Sequence, residues 1–231
     1  ALADAAMVVL MRERTAFGAD ILQRLDRLQL IVTAGQRNGA LDVAAATARG
    51  IPVLGTQFLE TPAVELTWAL ILALARRLPH ELRAMHAAGP WQSGLGTDLA
   101  GATLGVIGLG RLGARVSTVA RAFGMRVLAW SHNLDERRCA ACGVERAPSL
   151  TALLRASDFV SIHSVLSART RGLIGTAQLQ AMRRSAFLVN TSRAEIVDEA
   201  ALLQALSAGT IAGAGLDVFA CEPLPKQSPL R

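Results

Sequence analysis

The run Gly105-Val106-Ile107-Gly108-Leu109-Gly110-Arg111-Leu112-Gly113 carries the strongest structural signal in the sequence. It spells Gly-x-Gly-x-x-Gly at 108, 110 and 113, a pattern with meaning only where it ends a strand and opens a helix. Both conditions hold. Thr103–Ile107 is an apolar run of strand length, and Arg111–Phe123 places apolar residues at helical spacing. Each glycine then has a task. Gly108 permits the tight turn, Gly110 lets a pyrophosphate approach the backbone, and Gly113 lets the helix pack close to the strand. The amides of Arg111 and Leu112 point at the phosphates, aided by the field of the helix start. The plain alternative is a tight strand–helix turn that holds no ligand.

A dinucleotide-binding turn of this kind normally has a carboxylate at the end of the second strand, about twenty residues on, to bind the adenosine ribose. Here the second strand is Arg126–Trp130, and it runs into Ser131-His132-Asn133 with no carboxylate. Ser131 is placed to meet the ribose, yet it neither binds the hydroxyls as a carboxylate does nor repels a 2′-phosphate. NAD and NADP therefore both remain open. Arg137 and Arg138 could reach a 2′-phosphate or could simply line a solvated helix face.

Outward from the glycine turn, short apolar runs alternate with longer helical patterns, the mark of βα repeats on a parallel sheet. Before the turn, strands are expected at Met7–Met11, Leu30–Thr33 and Pro52–Leu54, and helices at Ala19–Leu25 and Leu41–Arg49. One long helix is expected from Pro62 to about Ala87, stopped by Gly89-Pro90. After the turn, helices are expected at Asp135–Cys142, Ser149–Ala156 and Glu199–Ala208. The last is capped by Asp198 and ended by Gly209. Strands are expected at Phe159–Ile162, Ala186–Asn190 and Ile211–Asp217. The fold class is α/β, a doubly wound parallel sheet. Residues 1–56 read as a partial substrate domain of flavodoxin-like type. Residues 57–231 read as a dinucleotide-binding domain that begins with the linking helix.

Composition agrees with a globular α/β protein. The chain has 231 residues, is 52% hydrophobic and carries a net charge of +6. Its arginines are scattered, with no dense cluster interleaved with aromatics, so nucleic-acid binding is not expected. Cys139 and Cys142 form a single Cys-x-x-Cys and Cys221 stands apart, too few ligands for a structural zinc, so no metal is expected. An odd cysteine count with no secretory signal suits a reducing cytoplasm. The longest apolar run, Leu66–Ala75, is about half of a membrane span and reads as a buried helix.

Two further segments follow apolar strands directly. They are Val189-Asn190-Thr191-Ser192-Arg193-Ala194-Glu195-Ile196-Val197-Asp198-Glu199 and Gly213-Ala214-Gly215-Leu216-Asp217-Val218-Phe219-Ala220-Cys221-Glu222-Pro223-Leu224. In an open α/β sheet the carboxyl ends of strands form the ligand crevice, so Arg193, Asp217 and Glu222 are candidates to face it. With the glycine turn, Trp91–Gly96 and Asp158–His163, these segments resemble the D-isomer-specific 2-hydroxyacid dehydrogenases. That family includes phosphoglycerate dehydrogenase and the glyoxylate/hydroxypyruvate reductases, and the resemblance covers essentially the whole chain.

The resemblance implies roles. Arg193 would be the catalytic arginine that grips the substrate's carboxylate and carbonyl oxygens. Glu222 would orient a histidine and raise its pKa so that it can protonate the carbonyl oxygen. Asp217, Thr191 and Ser192 would line the nicotinamide side, and Ser164 would touch the cofactor. Arg37 and Asn38, in the loop Gly35–Gly39, could meet the substrate carboxylate or serve as turn residues. A homodimer is expected, with the helix Pro62–Leu78 at its interface.

The chain also departs from the family pattern. The proton-donating histidine normally lies in a Thr-Pro-His segment beyond the Glu-Pro motif, and none of His80, His86, His132 or His163 has that context. The chain thus reads as cut short at both ends, with some apolar surface left uncovered. Ala194 replaces the glycine that usually follows the arginine. The alternative function is a dinucleotide-binding or corepressor-like module without catalysis.

Overall fold

The structure, a computed structural model, describes residues 2–11, 15–36, 38–57 and 59–231. It divides into two compact units, Ala1–Leu59 and Glu60–Arg231.

The first unit contains β1 (Met7–Leu10), α1 (Ala19–Leu22), β2 (Leu30–Thr33), α2 (Val43–Ala48) and β3 (Val53–Gly55). The strands are parallel in the order β1-β2-β3. Asp42 starts α2 by accepting the Ala45 amide on its side chain at 2.8 Å. One face of the sheet is packed: Val8, Leu10 and Ile31 meet Phe17, Leu22, Leu28 and Ala46. Side chains alternate along a strand, so Met7 and Val9 point to the other face. Both are more than half exposed, as is Leu54, which shares a row with Val9 and Val32. Parallel sheets are normally covered on both faces, and this face of the described sheet is exposed and apolar.

The second unit opens with α3 (Thr61–Ala75) and α4 (Leu78–His86). A single helix was expected across this span. The break comes from Pro79, which has no amide to offer the carbonyl four residues back and whose ring collides with it. That carbonyl belongs to Ala75, and it instead accepts the Thr97 amide at 2.7 Å. Arg77 turns the corner in the left-handed region, with φ 54°. The chain at Gly96 passes so close that a Cβ there would lie 2.6 Å from the Ala75 oxygen. The sequence signal, Leu78-Pro79, was present.

There follow β4 (Thr103–Ile107), α5 (Arg111–Ala122), β5 (Arg126–Trp130), α6 (Glu136–Cys142), β6 (Glu145–Arg146), α7 (Leu150–Ala156), β7 (Phe159–Ile162), α8 (Thr176–Ala181), β8 (Phe187–Asn190), a 3₁₀ turn (Ala194–Ile196), α9 (Glu199–Ser207) and β9 (Gly213–Leu216). The six strands run parallel in the order β6-β5-β4-β7-β8-β9. The chain winds outward from β4 to β6, then returns to the middle and winds the other way. The reversal between β4 and β7 is the switch point at which ligands bind in such sheets.

Helices cover both faces. On one side Trp68 and Ile71 of α3 and Val116 and Ala120 of α5 pack on Leu104, Val106, Val127 and Val189. On the other, Leu153 and Leu154 of α7, Leu179 of α8 and Leu202 of α9 pack on Ile107, Val160, Ile162 and Leu188. Strands buried on both faces explain why their sequences are continuously apolar. Glycines in β9 let α3 lie close, with Leu70 Cβ only 3.1 Å from where a Gly215 Cβ would stand. One side of α3 is therefore packed within its own unit. Exposed large apolar residues of this stretch are Leu66 on α3, Leu78, Leu82 and Met85 on α4, and Trp91 and Leu95 in the following segment. No helix among the described residues is long and apolar enough to cross a membrane. None of them forms a group of three or more side chains suited to a metal.

Candidate active site

The glycine turn has the geometry its sequence implied. Gly108 has φ +100°, and a side chain there would run into His163 and Ser164. Gly113 lies against the Gly108 carbonyl oxygen, which a side chain would overlap. Gly110 differs: its backbone is ordinary and a Cβ built on it meets nothing within 4 Å. The fold therefore needs glycine at 108 and 113 but not at 110. The first α5 amide to bond within the helix is that of Ala114, to the Gly110 carbonyl at 3.0 Å. The amides of Arg111 and Leu112 precede it and are the ones a helix leaves for an anion. An open cradle, helix-start amides and a strand switch point fit the pyrophosphate of a dinucleotide.

Two further strand ends are tied to this turn, and the end of β9 follows beside the second. Beyond β7, Ser164 Oγ donates to the Ile107 carbonyl at 3.2 Å, and the Ser164 carbonyl accepts from Ser192 Oγ at 2.6 Å. Ser192 belongs to the segment after β8, which carries Thr191 and Arg193. Arg193 is half-buried, and its Nη1 donates to the Ser192 carbonyl at 2.9 Å. The Asp217 amide, just past β9, donates to the Asn190 carbonyl at 3.1 Å. The Asp217 carboxylate is exposed at that edge. Glu222 is also exposed, and its Oε1 accepts the Phe219 amide at 3.3 Å.

The histidine after β7 serves the scaffold. His163 Nε2 and Ser161 Oγ are hydrogen-bonded at 2.8 Å, and burial pushes the imidazole down to about 4. It is neutral at physiological pH, which makes it a poor proton donor to a carbonyl there.

At the end of β5, Ser131 is half-buried and His132 packs beside Trp130, their ring centroids 4.9 Å apart. Arg138 is exposed, yet its guanidinium reaches back to the glycine turn. Its Nε donates to the Leu109 carbonyl at 3.1 Å and its Nη2 to the Gly110 carbonyl at 3.2 Å. Arg111 turns its guanidinium to Glu60, with Nε 2.9 Å from the carboxylate. In the first unit, Asn38 is buried, and its Oδ1 accepts the Ala40 amide at 3.0 Å. Arg37 lies outside the described residues.

Sequence reasoning passed over three residues here. Asn190, 1% exposed, braces the Arg193 turn from both sides of its amide: Oδ1 accepts the Ser192 amide and Nδ2 donates to the Arg193 carbonyl, each at 3.0 Å. Thr67 of α3 is buried, with its hydroxyl on the Ala63 carbonyl and 2.8 Å from Thr191 Oγ1. A hydroxyl has one proton, so Thr191 is the donor of that second bond. A lone threonine inside the apolar run Leu66–Ala75 was the available signal. Glu60 escaped notice as an ordinary surface acid.

Comparison with known proteins identifies relatives of the chain. Residues 68–231 match the family described as "D-isomer specific 2-hydroxyacid dehydrogenase, NAD binding domain". The chain is 41% identical over 219 residues to a glyoxylate reductase of Korarchaeum cryptofilum. That alignment covers 92% of the chain but 65% of the relative, so the chain spans less than two thirds of that protein. A Ralstonia solanacearum oxidoreductase described as a D-3-phosphoglycerate dehydrogenase superposes with TM-score 0.93 at 36% identity, over 100% of this chain and 72% of its own. The D-lactate dehydrogenase of Aquifex aeolicus, solved with NAD and lactic acid, superposes with TM-score 0.81 at 31% identity, over 95% of this chain and 66% of its own.

Proposed function

The chain belongs to the D-isomer-specific 2-hydroxyacid dehydrogenase family, and from that membership we propose that it is part of an oxidoreductase acting on a D-2-hydroxy acid or its 2-keto acid. The observation that carries this reading is the position of Arg193. The turn that presents it is locked by Asn190 and tied through Ser192 and Ser164 to Ile107, the last strand residue before the glycine turn.

Bound NAD or NADP supplies the hydride acceptor or donor for substrate C2. The protein's own part is to bind, orient and hold charge. Arg193 offers a planar fork that can grip a carboxylate and the adjacent carbonyl oxygen together, and its charge favours the oxygen as negative charge grows on it. Asp217, Thr191 and Ser192 line the nicotinamide side, and Ser164 flanks the glycine turn. Glu222 is the carboxylate to orient a proton-donating histidine; His163 does not fit that task, being neutral and bonded to Ser161. Residues 1–59 belong to the substrate-binding part, where Asn38 is more a turn residue than a substrate contact.

Association as a homodimer is part of the same proposal, through residues 62–78 with their exposed Leu66 and the adjoining stripe Leu78, Leu82 and Met85 of α4. A cytoplasmic setting is supported by three cysteines that are all free. The test is turnover by the full-length gene product. Glyoxylate, hydroxypyruvate and pyruvate are supplied with NADH or NADPH, and cofactor oxidation is followed by near-ultraviolet absorbance. Reduction of at least one acid, abolished by Arg193→Ala, is expected. Absence of turnover across the panel contradicts the reading.

A further inference from the structure

Taking residues 60–231 as a dinucleotide-binding unit, as proposed above, we infer that Ser131 and Arg138 form a seat for the 2′-phosphate of NADP(H), so that the chain prefers the phosphorylated cofactor.

The adenosine ribose in such units lies past the end of the second strand, against the glycine turn. A carboxylate at that strand end would bind the ribose hydroxyls and repel a phosphate. Here β5 is followed by a hydroxyl, an imidazole and an amide, at Ser131, His132 and Asn133. The nearest acids along the chain are already engaged. Asp135 accepts the Arg138 amide at 2.7 Å as the cap of α6, and Glu136 pairs with Arg146 at 3.4 Å.

Arg138 supplies the positive side. Its fork is anchored by Nε and Nη2 on the carbonyls of Leu109 and Gly110, the two residues between the tight turn and the helix start. The anchoring leaves the Nη1 hydrogens for an acceptor outside the turn. It also restricts the rotamers of a long side chain before any ligand arrives, which lowers the entropy lost on binding. A phosphate on the ribose 2′ position meets a fixed guanidinium on one side and the Ser131 hydroxyl on the other. Hydrogen bonds to an ionised partner are the strong ones.

The test is binding, read by tryptophan fluorescence or calorimetry, with NADPH, NADH, 2′,5′-ADP and 5′-AMP. NADPH should bind about tenfold or more tighter than NADH, as one charge-assisted contact allows. The 2′,5′-ADP should exceed 5′-AMP by a similar factor, and both ratios should shrink as salt rises. Ser131→Asp should reverse the order of the two cofactors, and Arg138→Gln should bring their affinities together. An arginine that only props up the turn would weaken both cofactors equally and leave the ratio unchanged. NADH binding as tightly as NADPH overturns the seat and leaves the dinucleotide reading standing. Binding of neither cofactor overturns both.

Discussion

Asn190 Nδ2 donates to the Arg193 carbonyl at 3.0 Å, so the side chain of the last β8 residue holds the turn that presents the arginine. Its Oδ1 takes the Ser192 amide at the same distance, which leaves both ends of a buried amide satisfied. Asn190→Ala removes both bonds and strands two backbone groups. A loss of about 2 kcal/mol in denaturant stability is expected, from about 1 kcal/mol per net hydrogen bond. Turnover should fall further than the affinity for the dinucleotide, because Arg193 serves the substrate. Equal losses in both would show that Asn190 supports the whole crevice rather than this turn.

Thr67→Val tests the second brace. The two side chains have the same shape, and only the hydroxyl that meets Thr191 is lost. Thr191 then loses its acceptor on α3. About 1 kcal/mol of stability should go, together with a measurable weakening of dinucleotide binding in a titration. Unchanged binding would place the contact outside the cofactor site.

Gly96→Ala tests the bend between α3 and α4. A Cβ would lie 2.6 Å from the Ala75 oxygen, nearer than any real Cβ approaches backbone. The Thr97–Ala75 bond must open to relieve it, and a drop of at least about 1 kcal/mol is expected in thermal or denaturant melts. A variant as stable as the parent would mean the segment relaxes freely and does not pin the helix end.

His163 gives the protein a stability slope in mild acid. Its imidazole sits near 4 in the fold against 6.5 in the unfolded chain. The unfolded state therefore takes up a proton first, and stability falls as pH drops from about 6.5 towards 4. The full effect is on the order of 3 kcal/mol, at about 1.4 kcal/mol per unit of pKa difference. Most of this window lies above the range in which carboxylates protonate. The measurement is denaturant stability at about pH 7 and about pH 5, on either side of the unfolded-state titration. His163→Gln should flatten the difference, and a slope that survives the substitution belongs to other groups.

Much of this fold was legible because a parallel sheet buried on both faces writes continuous apolar runs. Strands β4, β5 and β7 fall where those runs placed them, and Asp198 caps α9 as its side chain suggested, accepting the Ala201 amide. The elements that escaped lack that signature. The two residues of β6, Glu145 and Arg146, are polar and exposed on an edge, and α8 buries little more than Leu179. The break at Arg77 was written in Pro79 but outweighed by the apolar pattern on either side. In the site, the glycines and Arg193 were legible because their chemistry is local to a motif. Thr67, Asn190 and the Arg138 fork were not, because their roles depend on which strand ends and helices the topology brings together.

Whether the glycine turn holds a dinucleotide can be read by comparing the chain with its Gly110→Ala variant. A Cβ at 110 meets no protein atom, and its backbone suits alanine, so the variant should melt at the parent's temperature. It should nevertheless bind NADH and NADPH about tenfold or more weakly, because the methyl group stands where the pyrophosphate must approach. Equal stability with equal affinity would contradict the account, since the one glycine the fold does not need would then serve no ligand either.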